Sequence, residues 1–320
     1  MKLYGIIGYP LAQSASPAFF NKKFEDEGID ARYIPFEIES TDVLPRIIEE
    51  HPELCGFNVT IPHKLNVMQH LAGISDEAKA INAVNVVKVT RDNEGKALLW
   101  GYNSDVIGFS RSIGPLLGAG HKKALVLGTG GASKAIVYAL QQLGIEVQQV
   151  SRKASEKAIA YEDITPDIMQ SHTVIVNCTP LGMVGHGVDQ CPDIPYHHIG
   201  KEHLLYDIVY NPENTLFLQK GAAQGAVTKS GYEMWYLQAL APGKFGIRAL
   251  IPNSTIRAAN SQTQYGRSSY RLGRDKRVLS NLERIAEDSI TYIVISHAQH
   301  GCNSCRVGHD KCMLSNSTKE

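Results

Sequence analysis

The sequence has no net charge: 32 Lys+Arg stand against 32 Asp+Glu in 320 residues. Nothing in that total points to nucleic acid or a strongly charged membrane surface as a partner. Long apolar runs are also missing. No stretch approaches the roughly 18 apolar residues of a membrane-spanning helix. The opening "MKLYGIIGYP" holds too short an apolar run for a secretory leader. Cysteine is scarce, with six in all. Cys55, Cys178 and Cys191 stand singly, which argues against a disulfide framework and fits reduced thiols in a cytoplasmic protein. No internal repeat is visible.

What is there is a core and an alternating pattern. The chain is 43% hydrophobic, and its length suits two domains. Short β-type runs alternate with helix-type runs. "KLYGIIG", "RYIPFEI" and "GFNVTI" read as strands, and "PAFFNKKFEDEG" as a helix ended by Gly28. "NAVNVVKV" and "KALLWGY" flank Asp92–Gly95 and read as a hairpin. A helix is expected near 104–118. Then "KKALVLGTGGASKAIVYALQQLGIEVQQVSR" reads as strand, Gly-rich turn, helix and strand, a βαβ unit with a right-handed crossover. "TVIVNCT" and "LLYDIVY" continue that sheet, and "GYEMWYLQALA" is a helix after it. The fold class is therefore α/β.

The turn "VLGTGGAS" sets Gly128, Thr129, Gly130, Gly131 and Ala132 between a strand and a helix. Free N–H groups and the positive dipole end of that helix suit a pyrophosphate, and glycines let the backbone come close. A ligand-free βα turn would look similar at this level. The end of the next strand, "VSRK", offers Ser151, Arg152 and Lys153 but no carboxylate. An Asp or Glu there would hold the ribose hydroxyls of NAD, whereas a guanidinium suits the 2′-phosphate of NADP. The bland alternative is a solvated cationic pair.

Small polar residues gather where first-block strands end. "LAQSASP" carries Ser14 and Ser16, two apart. On an extended segment both hydroxyls would face one side and could clasp a carboxylate. "NVTIPHK" carries Asn58, Thr60 and Lys64, "INAVN" carries Asn85, and "GYNSDVIGF" carries Asn103 and Asp105. Singly, each is a turn or cap signal, and Asp105 could merely cap the helix after it. Together they offer donors and acceptors for a small polyhydroxylated acid. Lys64 and Asp105 also make a chemical pair. A ketone reduced by hydride leaves an alkoxide that needs a proton, and a positioned ammonium can give it.

With those motifs in view, the chain resembles the shikimate dehydrogenase family. The carrying stretches are "GYPLAQSASP", "NVTIPHK", "INAVN", "NSDVIGF", "LGTGGASKA", "SRK", "NCTPLGM", "YDIVYNP" and "GYEMWYLQA", in family order over residues 1–241. The resemblance implies a substrate-binding domain of residues 1–105 plus 232–241 around a Rossmann-type NADP-binding domain of residues 106–231. It implies reversible reduction of 3-dehydroshikimate to shikimate with NADPH, in a monomer or homodimer. By the same resemblance, Ser14 and Ser16 would bind the carboxylate. Thr60, Asn85, Asp105 and Gln238 would hold ring hydroxyls, with Tyr210 nearby. Lys64 would be the acid/base, oriented by Asp105. Gly128–Ala132 and Ser151–Lys153 would take the dinucleotide phosphates, and Thr179, Ile208 and Gly231 would line the nicotinamide end. Gln13 and Phe20 stand where the family often has His. Both serines are intact, which favours shikimate over quinate. A quinate or other hydroxy-acid dehydrogenase, and a non-catalytic NADP-binding regulator, are the competing readings.

Residues 242–320 depart from the family pattern. From Gly243 on there are twelve Lys+Arg against six Asp+Glu, and the family's closing Trp-rich helix is missing. Residues 239–247 can be back-translated so that reading from the third base gives Ala-Ser-Ser-Trp-Lys-Ile-Trp-Asn. That is the missing kind of helix, so the tail is expected to be an irregular, out-of-frame translation. Cys302, Cys305, His309 and Cys312 have zinc-like spacing, but the cluster is very compact and no flanking pattern supports it. No metal is expected.

Overall fold

The computed structural model describes residues 1–12 and 14–241. Gln13 and the whole tail, with its zinc-like spacing and its frame hypothesis, lie outside the described residues.

The first block runs β1 (Lys2–Gly8), α1 (Ser16–Asp26), β2 (Ala31–Glu37), α2 (Leu44–Glu50), β3 (Leu54–Val59), β4 (Gly73–Ile74), α3 (Asp76–Ile81), β5 (Val86–Arg91), β6 (Ala97–Tyr102) and α4 (Asp105–Ile113). Its sheet has the order β2-β1-β3-β5-β6-β4. The strands β2, β1 and β3 are parallel, while β5 runs against both β3 and β6. The expected hairpin is β5–β6. Asp92 Oδ1 accepts from the N–H groups of Glu94 and Lys96, and Gly95 supplies the positive φ of +82° that closes the turn. This mixed pairing decides where the site lies. Ile7 pairs with Val59, Asn58 with Val86, and Val86 with Tyr102. The ends of β1, β3 and β6 and the start of β5 therefore share one edge.

The second block runs β7 (Lys123–Leu127), α5 (Gly131–Gln142), β8 (Glu146–Ser151), β9 (Ala158–Ala160), α6 (Pro166–Ser171), β10 (Val174–Asn177), β11 (Leu204–Asp207), α7 (Leu216–Ala223), β12 (Val227–Lys229) and α8 (Tyr232–Ala239). Its sheet is all parallel with the order β12-β11-β10-β7-β8-β9. Strands β10 and β11 are buried along their whole length, because parallel sheets are covered on both faces. This is a doubly wound fold whose strand order reverses between β7 and β10. At such a point, doubly wound sheets bind ligands in the crevice outside the carboxyl ends of the strands. Gly128 follows β7 at that point, and Thr179 closely follows β10.

Helix α4 joins the blocks. Its Val106, Phe109 and Ile113 share one core with Ile81 of the first block and with Ala124, Val126, Ala135, Ile136 and Met234 of the second. Burial of each such side chain stabilises by about 1.5–3 kcal/mol, so α4 is a common wall and not a linker. α8 crosses it at Gly108. A Cβ there would lie 2.5 Å from the Met234 carbonyl oxygen and 2.8 Å from Gln238 Cβ, so only glycine lets α8 come this close. Among the described residues no helix is long and apolar enough to cross a membrane.

Candidate active site

Lys64 leaves the turn that follows β3. Its Nζ lies 2.5 Å from Asp105 Oδ2, and the two side chains are only 13% and 7% exposed. A solubilising loop lysine would not be buried in this way. Asp105 opens α4, but its carboxylate does not cap that helix. Oδ2 takes the Lys64 ammonium, and Oδ1 accepts from Asn85 Nδ2 at 2.8 Å. Asn103 Oδ1 accepts from the Asp105 N–H at 3.0 Å and fixes the entry to the helix. The two charges, 41 residues apart, meet because β3, β5 and β6 deliver them to one edge.

Ser104 extends the network, although no short motif singles it out. Its hydroxyl is fully buried, contacts Asn85 and donates to Gln238 Oε1 at 2.9 Å. Gln238 thereby joins Asn85 and Asp105 from the far end of the described chain. Thr60 is half-buried beside them, its N–H donating to the Ile7 carbonyl at 2.9 Å. His63 anchors the lysine turn, its Nε2 lying 2.7 Å from the Ile38 carbonyl oxygen.

The serine pair differs from expectation. Ala15 has φ −76° and ψ −12°, a helical and not an extended conformation, because α1 already begins at Ser16 with Pro17 in its first turn. Strand alternation therefore does not align the two hydroxyls. Ser16 is buried beside the Tyr33 phenol, Ser14 is half-buried, and the Ala15 backbone between them lies beside the Tyr210 phenol. Burial pushes the Tyr210 phenol up from its ordinary value. Tyr33, which no motif marks, also donates to Asn58 Oδ1 at 2.8 Å. Phe20 stacks on Tyr33 with ring centres 4.7 Å apart, so this position is core beneath the serines.

The Gly-rich turn faces Lys64. Gly128 has φ +108°, and a Cβ there would touch the Cys178 backbone at 3.3 Å. α5 starts at Gly131 with no side-chain cap, which leaves its first N–H groups open to an anion. Thr129 and Gly130 are exposed, Ala132 half-buried. Arg152 and Lys153 are exposed at the end of β8, with Ser151 bonded to the Lys153 carbonyl. Thr179, Ile208 and Gly231 converge from three loops. The Ile208 N–H donates to the Asn177 carbonyl, the Gly231 N–H donates to the Val209 carbonyl, and a Cβ on Gly231 would lie 2.2 Å from the Ile208 carbonyl oxygen. Among the described residues no cluster of His, Cys, Asp or Glu could hold a metal ion.

The site thus pairs a charged, hydrogen-bonded edge with a phosphate-type turn across a cleft. Known proteins resemble the chain as a whole. The shikimate dehydrogenase substrate binding domain family matches residues 6–87. The shikimate dehydrogenase (NADP(+)) of Methanococcus maripaludis is 37% identical over 255 residues, 74% of this chain and 88% of the relative. The crystal structure of the Thermus thermophilus shikimate 5-dehydrogenase with NADP(H) and shikimate aligns with TM-score 0.63 and 30% identity, covering 75% of this chain and 91% of that one. A quinate dehydrogenase from Corynebacterium glutamicum in complex with NAD aligns with TM-score 0.63 and 25% identity, covering 74% and 90%. The chain belongs to the shikimate dehydrogenase family.

Proposed function

We infer, from membership of the shikimate dehydrogenase family and from the Lys64–Asp105 pair, that this chain is an NADP-dependent oxidoreductase that interconverts 3-dehydroshikimate and shikimate. The observation that carries the reading is the buried contact of 2.5 Å between Nζ and Oδ2. The resident cofactor fits the residues present. The uncapped start of α5, Gly128 at positive φ, and Arg152 with Lys153 in place of a carboxylate all suit a 2′-phosphorylated dinucleotide. Gly128–Ala132 and Ser151–Lys153 would hold its phosphates, with Thr179, Ile208 and Gly231 at the reacting end. Bound NADPH supplies the hydride.

The chain's own residues supply the proton and the grip. Lys64 gives a proton to the substrate oxygen as negative charge builds on it, and takes it back in the oxidation direction. Asp105 holds the ammonium in place and is itself fixed by Asn85. Ser14 and Ser16 receive the carboxylate, with Tyr210 beside them. Thr60, Asn85, Asp105 and Gln238 receive ring hydroxyls, which the shared hydrogen bonds of Ser104 support. On this reading residues 1–105 with 232–241 form the substrate side and 106–231 the NADP side. A cytoplasmic location agrees with the free thiols of Cys55, Cys178 and Cys191, and a monomer or homodimer is what the family resemblance implies.

The test is turnover by the full chain. Shikimate with NADP+ and 3-dehydroshikimate with NADPH are expected to react, and quinate or NAD+ far more slowly. Turnover of quinate alone would reassign the substrate. No turnover of any of these would leave an NADP-binding regulator.

A further inference from the structure

Asp207 ends β11 and is wholly buried, yet the chemistry above makes no use of it. No cation pairs with it among the described residues. Its partners are three neutral donors. Oδ1 accepts from Asn177 Nδ2 and from the Val209 N–H, each at 3.0 Å, and Oδ2 accepts from Thr215 Oγ1 at 2.6 Å. A buried carboxylate without a counter-charge is unfavourable unless its hydrogen bonds are complete. Each donor sits on a different segment: the end of β10, the loop after β11, and the cap of α7.

Asn177 carries the link further. Its Oδ1 accepts from the Thr179 N–H at 3.0 Å and from Thr179 Oγ1 at 2.7 Å, and its Nδ2 also reaches the Leu181 carbonyl at 3.3 Å. On the other arm, Val209 accepts through its carbonyl from the Gly231 N–H at 3.1 Å. Thr179, Ile208 and Gly231 are therefore each within two hydrogen-bonded or bonded steps of one carboxylate. We propose that Asp207 is a positioning residue for the nicotinamide end of the cleft, holding the loops after β10 and β11 against each other through Asn177. The proposal rests on the reading of this cleft as an NADP site. It explains why two buried apolar strands, "VIVN" and "LLYD", both end on polar residues.

The test compares Asp207→Ala, Asp207→Asn and Asn177→Ala with the parent chain. Calorimetry gives the NADP+ dissociation constant. Steady-state kinetics give kcat and both KM values, with the deuterium isotope effect from NADPH labelled at the transferred hydrogen. Amide exchange is followed over residues 178–182 and 208–211 without ligand. A loop shift of about 1 Å lowers turnover on the order of 10²-fold. Asp207→Ala is expected to show that loss, a weaker NADP+ complex, a larger isotope effect and faster exchange in those two loops. The KM for shikimate should change less than the NADP+ affinity, because of its assigned ligands only Tyr210 lies in these two loops. Asp207→Asn, which keeps an acceptor, should lose less. The Asp207→Ala/Asn177→Ala double variant should be little worse than either single, as for residues acting through one link.

A lower melting temperature with unchanged affinity, kcat and isotope effect in the folded variant would overturn the proposal. So would full additivity in the double variant. If Asp207→Ala does not fold, Asp207→Asn decides, and parent-like constants from it count against the proposal. A parent chain that binds NADP+ but turns over no substrate would refute the assigned reaction. The binding and exchange data would still judge Asp207.

Discussion

Gly131 and Lys64 touch across the cleft: a methyl group on Gly131 would sit 2.9 Å from Lys64 Cβ. The cofactor-type turn and the proton donor are thus neighbours. Real Cβ atoms do not come this close, and Lys64 Cβ is the stiff root of its side chain, so either the backbone or α5 must yield. Such overpacking costs about 1–3 kcal/mol. Gly131→Ala is expected to lower kcat by about 10–100-fold in a chain that still folds. Titration with NADP+ separates this from lost binding, and a parent-like kcat would contradict the contact.

The 2′-phosphate reading rests on Arg152. A charge-assisted hydrogen bond contributes about 1.5–3 kcal/mol. Arg152→Ala should therefore weaken NADPH binding by about 10–100-fold and leave NADH binding nearly unchanged. The loss should shrink at high salt, because Arg152 is exposed. Equal loss with both cofactors, measured by fluorescence titration, would mean that Arg152 is only a surface charge.

Asp207 gives a pH dependence of known sign. Burial outweighs its three hydrogen bonds and raises its carboxyl from 3.8 to about 6. The folded chain then holds a proton that the unfolded chain has lost between those values. Stability from this group is present at low pH and declines as pH rises through about 4 to 6, by on the order of 3 kcal/mol. Its titratable neighbours Cys178, Tyr196 and Tyr206 stay neutral across that window, each pushed up by burial. Urea midpoints of parent and Asp207→Asn from pH 4 to 7 check this. The parent should lose ground to the variant up to about pH 6, then hold level. A constant difference would contradict the shift.

The tail carries a test of its own. Codons for residues 239–247 that are compatible with the alternate reading would support the frame hypothesis. Incompatible codons would end it.

Much of this fold is local chemistry and is legible in the sequence. The apolar run of β7, the glycines after it and the helix of α5 are one continuous signal. So is the β5–β6 hairpin around Asp92–Gly95. Lys64 and Asp105 are visible as chemical types, but their contact depends on β5 running antiparallel to β3, which no short stretch encodes. Ser104, Asn177 and Asp207 stand inside the quoted motifs without showing a role, and Tyr33 stands in none, because each gains its role from partners distant in sequence. A polar residue closing a buried apolar strand is the signal that could have found Asn177 and Asp207. The Ser14–Ser16 geometry departs from the extended expectation because Pro17 can start a helix as readily as it ends a strand. Strands β9 and β12, three residues each, lie at the sheet edges and are too short to show a period.

The direct test of the central claim is the rate of NADPH-dependent 3-dehydroshikimate reduction by Lys64→Ala, with NADP+ affinity measured on the same protein. General acid–base assistance is worth about 10²–10⁴-fold. The account expects a loss of that size with cofactor affinity retained. A variant that reduces its substrate at the parent rate would contradict it.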